Sequence, residues 1–368
     1  MFETYFIEFA RFEHLLQKLS KRYNLFLPKI KEYPDKKADY VYQTYSDAAP
    51  FVFAPYRTIE PLKSFFTFPK EKVCSYFSPE EFNPGRNNIL TGVKNCDIVG
   101  HKIQDFVFLE GVEIDQPYRL RRENTFFISG DCTDFKEVCH CLAWDIMPYS
   151  ETGFDLNLSI MGEGYLVDVG SRKGEELLLE HKDFFSLARD TQISGRKVKR
   201  EKLINRLRRH LLSQDLVSRK EVMEGLVKQG YQLDTWQKFM LTCVECGGCN
   251  LICDTCHCFL LSDVKEKNTN GSTSLAIGTE RSRSANSKLR LWDACLYANY
   301  ARVAGGANPL KTRAQRLRNR FMKKFDFFVD NLGMPACCGC GRCIEVCPGK
   351  IDIREVLKDL AKKIKAKG

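Results

Sequence analysis

No window of this 368-residue chain approaches 18 consecutive apolar residues, so no segment is expected to span a membrane. Met1 to Arg11 carries acidic residues and no long apolar core, so no secretory signal is legible and a cytoplasmic location is expected. The usual catalytic signatures are missing as well. Gly162-Glu163-Gly164 lacks the third glycine of G-x-G-x-x-G and falls in an expected hairpin, which argues against a nicotinamide fingerprint. Walker A, H-E-x-x-H and G-x-S-x-G do not occur. Histidine is scarce: His14, His101, His140, His181, His210 and His257 are scattered, each read first as a surface or core residue. Whether the chain is an enzyme in its own right is left open, with a non-catalytic role expected.

Cysteine is what the sequence has in excess, 17 in all. Cys243, Cys246, Cys249 and Cys253 stand in a C-x2-C-x2-C-x3-C run, and Cys337, Cys340, Cys343 and Cys347 repeat it, closing with Pro348. This is the bacterial ferredoxin spacing, in which three close cysteines wrap one cubane and the fourth reaches the other. The expected ligand sets are therefore Cys243, Cys246, Cys249 and Cys347 on one 4Fe–4S cluster, and Cys337, Cys340, Cys343 and Cys253 on the second. Gly247, Gly248, Gly339 and Gly341 let the backbone turn tightly and aim N–H groups at sulfur. Structural zinc takes cysteine pairs separated by a dozen or more residues, which this crowding does not match. With no export signal, disulfides are disfavoured and metal ligands in a reducing compartment are the better reading.

Nine cysteines remain. Cys132, Cys139 and Cys141 cluster, and Cys96 closes a neighbouring strand–turn. If adjacent parallel strands bring those turns together, four thiols converge and a third 4Fe–4S cluster fits; zinc, or ordinary buried cysteines, are the alternatives. Cys256, Cys258 and Cys295 surround the first motif and either line the cluster pocket or form a further site with an outside ligand such as His257. His140 and His257 flank cysteines, where a hydrogen bond to sulfur would tune potential. Cys74 and Cys338 receive no role, although Cys338 is an alternative to Cys337 that breaks the x2 spacing.

The formal charge of +10 invites a nucleic-acid partner. Each loaded cubane with its four thiolates adds about −2, however, which leaves about +6 with two clusters and about +4 with three. The basic excess then reads as compensation for buried cluster charge or as a docking face for an acidic partner, and no nucleic acid is expected.

The fold expected is α+β. A mixed α/β domain over 1–190 carries the third site, a helical linker covers 191–236, and a largely helical two-cluster ferredoxin-like domain covers 237–368. A helical pattern runs through Phe6, Phe9, Phe12, Leu15, Leu16 and Leu19; Tyr40–Tyr45 and Phe51–Phe53 read as short strands beside Pro50 and Pro55. Pro61–Pro84, with Phe65, Phe66, Phe68, Tyr76 and Phe77, reads as an ordered connection. Asn88–Ile103 reads as strand, turn at Asn95-Cys96-Asp97, and helix capped by Asp97. Thr125–Ser129 is a strand, and Leu156–Ile160 with Tyr165–Val169 a hairpin. Gly195–Gly230 reads as a basic, solvated helical bridge, Ser262–Ser287 as a polar loop, and Leu289–Tyr300 as a helix with Trp292 and Cys295. The basic run Lys311 to Lys324 is taken as a solvated face, and Ile353, Leu357, Leu360 and Ile364 mark an amphipathic terminal helix.

With these residues placed, the chain resembles the iron–sulfur beta subunits of cytoplasmic hydrogenase/sulfhydrogenase complexes and the corresponding iron–sulfur subunit of anaerobic sulfite reductase. The resemblance rests on G-V-K-N-C-D-I (Gly92–Ile98), R-R-E-N-T (Arg121–Thr125), Cys132–Cys141, F-D-L (Phe154–Leu156), Cys243–Phe259, W-D-A-C (Trp292–Cys295), A-G-G-A-N (Ala304–Asn308) and Cys338–Pro348. It implies an electron-transfer subunit working between two others, an FAD- and NAD(P)-binding flavoprotein and a catalytic hydrogenase or reductase. Asp254 stands where this family usually has proline, Ala307 where it usually has histidine, and Cys338 where a small apolar residue is usual.

Overall fold

The structure is a computed structural model describing residues 3–34, 38–47, 51–76, 83, 85–265 and 286–367. The chain opens with β1 (Thr4–Glu8), α1 (Phe9–Ser20), β2 (Asn24–Glu32) and β3 (Ala38–Thr44). β4 (Lys70–Ser75), β5 (Asn88–Val93), α2 (Asn95–Leu109), α3 (Gln116–Glu123) and β6 (Thr125–Gly130) follow. β7 (Leu156–Met161), β8 (Gly164–Val169), α4 (Arg172–Glu180) and β9 (Ser186–Leu187) complete the first part. An eight-stranded sheet runs β3-β2-β5-β6-β7-β8-β1-β9. Its central strands β2, β5, β6 and β7 are parallel, and antiparallel strands close both sides.

Parallel strands need cover on both faces, which is why β6 is buried along its whole length. Successive side chains alternate: Ile89 and Phe126 pack under α1 with Leu15, Leu16 and Leu19, while Leu90 and Phe127 pack against Phe66, Ile98 and Tyr118. The helical pattern begins later than Phe6, because Thr4–Glu8 pairs with β8 as a strand. Phe51 and Phe53 form no strand and instead pack their rings on Tyr165.

The second part holds α5 (Asp190–Leu212), α6 (Arg219–Met223), α7 (Leu226–Gln229), α8 (Thr235–Met240), α9 (Gly248–Leu251), β10 (Phe259–Lys265) and β11 (Asn286–Trp292). α10 (Arg313–Met322) runs through a π-turn at Lys323–Phe327 into α11 (Phe328–Leu332), and α12 (Arg342–Glu345) and α13 (Ile353–Lys365) end the chain. The architecture is mixed α/β with a C-terminal ferredoxin-like domain. One apolar core joins Cys141, Trp144 and Ile146 to Leu207, Val227, Trp236, Phe321, Phe325, Val356, Leu357 and Leu360. α5 is only partly solvated, burying Arg196, Leu203, Ile204 and Leu207.

The structure corrects three further expected elements. Leu289–Trp292 is strand, not helix: Lys288-Leu289-Arg290-Leu291 alternates, and Arg290 is buried against Glu71 and Asp115. The hairpin arms take Ser262–Lys265 and Asn286–Ser287 out of the expected loop, whose residues 266–285 lie outside the described ones. β4, inside the expected Pro61–Pro84 connection, pairs with β11, making a three-stranded sheet β10-β11-β4; Pro50, Phe77 and Pro84 lie outside the described residues. No helix among the described residues is long and apolar enough to cross a membrane.

Leu360 is fully buried in the shared core. Leu360→Ala is expected to cost about 2–5 kcal/mol by removing packed methyl groups and leaving a cavity, read as a lower urea midpoint with unchanged slope.

Candidate metal centres

The two ferredoxin-type runs fold alike. Gly247 (φ 71°) and Gly341 (φ 73°) occupy the same place in each, a left-handed turn that sends the chain into α9 and α12. The turn places Cys246 and Cys249, or Cys340 and Cys343, on either side of the glycine. Cys243, Cys246, Cys249 and Cys347 line one cavity, walled by Leu317, Arg320 and Phe321 of α10. Backbone amides approach two of these sulfurs: Glu245 N–H donates to Cys243 Sγ at 3.4 Å, and Ile351 N–H to Cys347 Sγ at 3.3 Å.

Around Cys343 stand Cys253, Cys337 and Cys340 as thiol neighbours. Lys324, buried, donates to Cys253 Sγ at 3.4 Å, Thr255 Oγ1 at 2.7 Å and the Ala336 carbonyl at 3.0 Å. Burial works against its charge, but the adjacent Cys253 and Cys256 outweigh that and keep its pKa raised. A hydrogen bond from Cys338, with Arg342 and Arg57 behind it, brings the Cys340 thiol down to about 6, whereas burial pushes Cys337 up to about 11. Burial also pushes His140 down to about 4, so its ring is neutral. Its Nδ1 lies 2.9 Å from the Val138 carbonyl and takes the proton as donor there. The face 4.0 Å from Cys337 is then an acceptor rather than the expected donor to sulfur.

The expected third grouping is brought together by the parallel pair β5 and β6. Cys96 lies in the first turn of α2, directly after β5, and Cys132 lies just past β6. They line one cavity with Cys139, Cys141, Arg57, Gly339 and Cys340. Burial pushes Cys132 up to about 12 and raises Cys96, Cys139 and Cys141 as well. Bare, these thiols stay protonated at neutral pH; thiolates here call for a bound metal. Cys340 belongs to this wall and is also a neighbour of Cys343, so the two groups abut. Gly339 (φ +65°) makes that close approach possible, since a Cβ there would meet the Cys141 backbone at 2.5 Å.

Arg342 ties the second and third groups. Its Nη1 donates to Asp97 Oδ1 and, at 3.0 Å, to Asp254 Oδ2; Nη2 donates to Asp97 Oδ2 at 3.1 Å and the Glu60 carbonyl at 3.2 Å. Nε donates to the carbonyls of Thr58 and Ile59 at 3.1 and 3.0 Å. Asp97 therefore does not cap α2, whose N-cap is Lys94; it sits inside the first turn as the partner of Arg342. Burial and the charge of Asp97 hold the Asp254 carboxyl well above the usual range.

Sequence reasoning allowed for cations compensating buried cluster charge but took the 311–324 run first as solvated and did not place the others. Arg57, Lys63, Lys94, Arg320, Lys324 and Arg342 are all buried among the thiols. A signal is present at Arg316, Arg320 and Lys324, spaced by four along one helix face, although a basic run of this kind reads locally as solvated. Arg320 lines the first cavity and its Nε is buried with no acceptor among the described residues. A cluster sulfide is an acceptor of the right kind, so the donor set fits iron–sulfur clusters.

Remaining thiols fall outside these groups. The Cys256 thiol donates a hydrogen bond to Cys253, Cys338 to Cys340 and Cys295 to Cys258, and Cys74 is exposed on β4.

The paired motifs and their buried cations define a dicluster iron–sulfur protein of the electron-transfer class, and residues 242–351 match the 4Fe-4S dicluster domain family. Over 306 residues the chain is 30% identical to sulfhydrogenase 2 subunit beta of Pyrococcus furiosus, covering 83% of this chain and 84% of that one. It belongs to this family of iron–sulfur hydrogenase beta subunits.

Removing Arg342 strands Asp97 without its counter-charge. Arg342→Ala is expected to cost about 3–5 kcal/mol, measured as a fall in thermal midpoint of the anaerobic protein.

Proposed function

We propose that this chain is the relay component of an anaerobic oxidoreductase complex. It carries electrons between two other subunits, an FAD- and NAD(P)-binding flavoprotein and a catalytic hydrogenase or reductase, in the cytoplasm. Cys243, Cys246, Cys249 and Cys347 hold one 4Fe–4S cluster, Cys337, Cys340, Cys343 and Cys253 the second, and Cys96, Cys132, Cys139 and Cys141 a third. Clusters bound there supply one-electron redox chemistry at potentials set by burial, hydrogen bonds and charge.

The observation that carries this reading is the contiguity of the three thiol groups. Arg320 lies beside Cys249, Cys343 and Cys253, and so stands between the first pair of sites. Cys340 borders both the second and the third. Arg57 donates to the Cys340 carbonyl at 2.9 Å and pairs with Glu345, fixing that border. These cations oppose the roughly −2 charge of each loaded site and favour its reduced state. Cys246 is exposed, and Val346 lies with it against Gly248, so the first site has an edge at the surface for a partner protein.

Iron and acid-labile sulfide counts on anaerobically isolated protein test this. About twelve irons per chain are expected for three clusters; about eight would withdraw the third site, and zinc without sulfide would overturn the relay. Cys347→Ser and Cys132→Ser are each expected to remove about four irons, from different electron paramagnetic resonance signals. Anaerobic isolation of the complex is expected to bring down a second polypeptide with flavin absorbance.

A further inference from the structure

Asn250, buried in α9, touches sulfur on both sides. Cys249 Sγ lies 3.5 Å from its Oδ1, and its Nδ2 donates to Cys295 Sγ at 3.0 Å. Cys295 is hydrogen-bonded in turn to Cys258. The hairpin holds these two thiols together. Cys258 immediately precedes β10, Cys295 lies three residues beyond β11, Phe259 pairs with Trp292, and Asp293 N–H donates to the Cys258 carbonyl at 3.0 Å.

The pair is asymmetric in the way a nucleophile and a resolving thiol are. Cys295 is 2% exposed and Cys258 is half-buried. Lys323, His257 and the Tyr300 hydroxyl stand beside Cys258, with Lys323 donating to Tyr300 at 3.1 Å. The hydrogen bond from Cys295, with the Lys323 ammonium adding positive charge, brings the Cys258 thiol down to about 4. Such a thiol is a thiolate at neutral pH and open to exchange. Cys256 does not join this pair, because its bond goes to Cys253.

We propose that Cys258 and Cys295 form a redox-active dithiol, joined to the first cluster site through Asn250 and Cys249, whose substrate is a small disulfide. The Cys258 thiolate attacks one substrate sulfur: a bond to Cys258 forms, the substrate S–S bond breaks, and one thiolate leaves. Cys295 then attacks Cys258 Sγ, forming the internal disulfide and expelling the second substrate thiolate, which takes the Cys295 proton. The substrate has gained two electrons and the pair has lost two. Two electrons from the relay and one proton restore the thiolate and the thiol. This rests on the reading of Cys249 as a cluster ligand.

The test treats the holoprotein anaerobically with 2-hydroxyethyl disulfide, quenches with an alkylating agent, and maps peptides by mass spectrometry. A Cys258–Cys295 linked peptide is expected. Cys258→Ser and Cys295→Ser are expected to lose it, to keep wild-type iron and sulfide, and to take up two fewer electrons per chain in a reductive titration of the disulfide-treated protein. Absence of the linked peptide in wild type overturns the pair, as does a loss of about four irons in either variant, which would make these thiols cluster ligands. Thiol exchange needs no cluster, so wild-type iron content judges the relay separately from the pair.

Discussion

One guanidinium holds three parts of the chain at a common point. Arg342 lies between Cys340 and Cys343, Asp97 directly follows Cys96, and Asp254 directly follows Cys253. A buried charge of this kind is tolerable only when every donor is used and the local charge balances. Both conditions hold. All its nitrogens donate, and of the two carboxyls Asp97 is held below its usual range by the guanidinium while Asp254 is held well above it. The second and third cysteine groups inherit their spacing from this junction, since each is tethered to it by one or two residues. Asp254, a departure from the usual family residue, is also held by Lys63 N–H at 3.0 Å, which draws the 57–63 segment into the same contact.

The basic composition acquires a physical meaning in this arrangement. Isolated cations do not stay in a protein interior without opposing charge. Lys94 donates to the Asp131 carbonyl beside Cys132 and Cys96, Lys63 to the carbonyls of Asn250 and Cys256, and Lys324 to Cys253 itself. With thiolates and clusters in place the interior approaches neutrality, and the positive formal charge no longer describes the outer surface alone. A patch argument drawn from composition would seek a partner where there is largely internal compensation.

The cysteine spacing is legible because ligand geometry leaves so little freedom in a tight loop, and the structure gathers Cys243, Cys246, Cys249 and Cys347 across nearly a hundred residues of intervening chain. The Gly162 hairpin and α13 are equally readable, each having a plain two- or near-four-residue period, and Thr125–Gly130 is readable as a short run of β-branched and aromatic residues. Leu289–Trp292 misleads because leucines on both sides of Arg290 fit either period, and the decision lies in distant partners, Glu71 and Asp115. The 311–324 run misleads for a related reason. Arginine on a helix is normally solvated, and only the thiols of other segments make burial of Arg320 and Lys324 favourable. Burial of charge is a tertiary fact, and local pattern carries little of it.

The contact at Gly339 bears on how such a protein is made. His140 N–H donates to the Gly339 carbonyl at 2.8 Å, and Gly341 lies as tightly on Val138. The second cysteine loop thus takes its shape by lying on residues translated some two hundred positions earlier, and it can be finished only after synthesis nears its end. A detached C-terminal half would retain these cysteines yet lack the anvil on which the Cys337–Cys347 loop takes its shape.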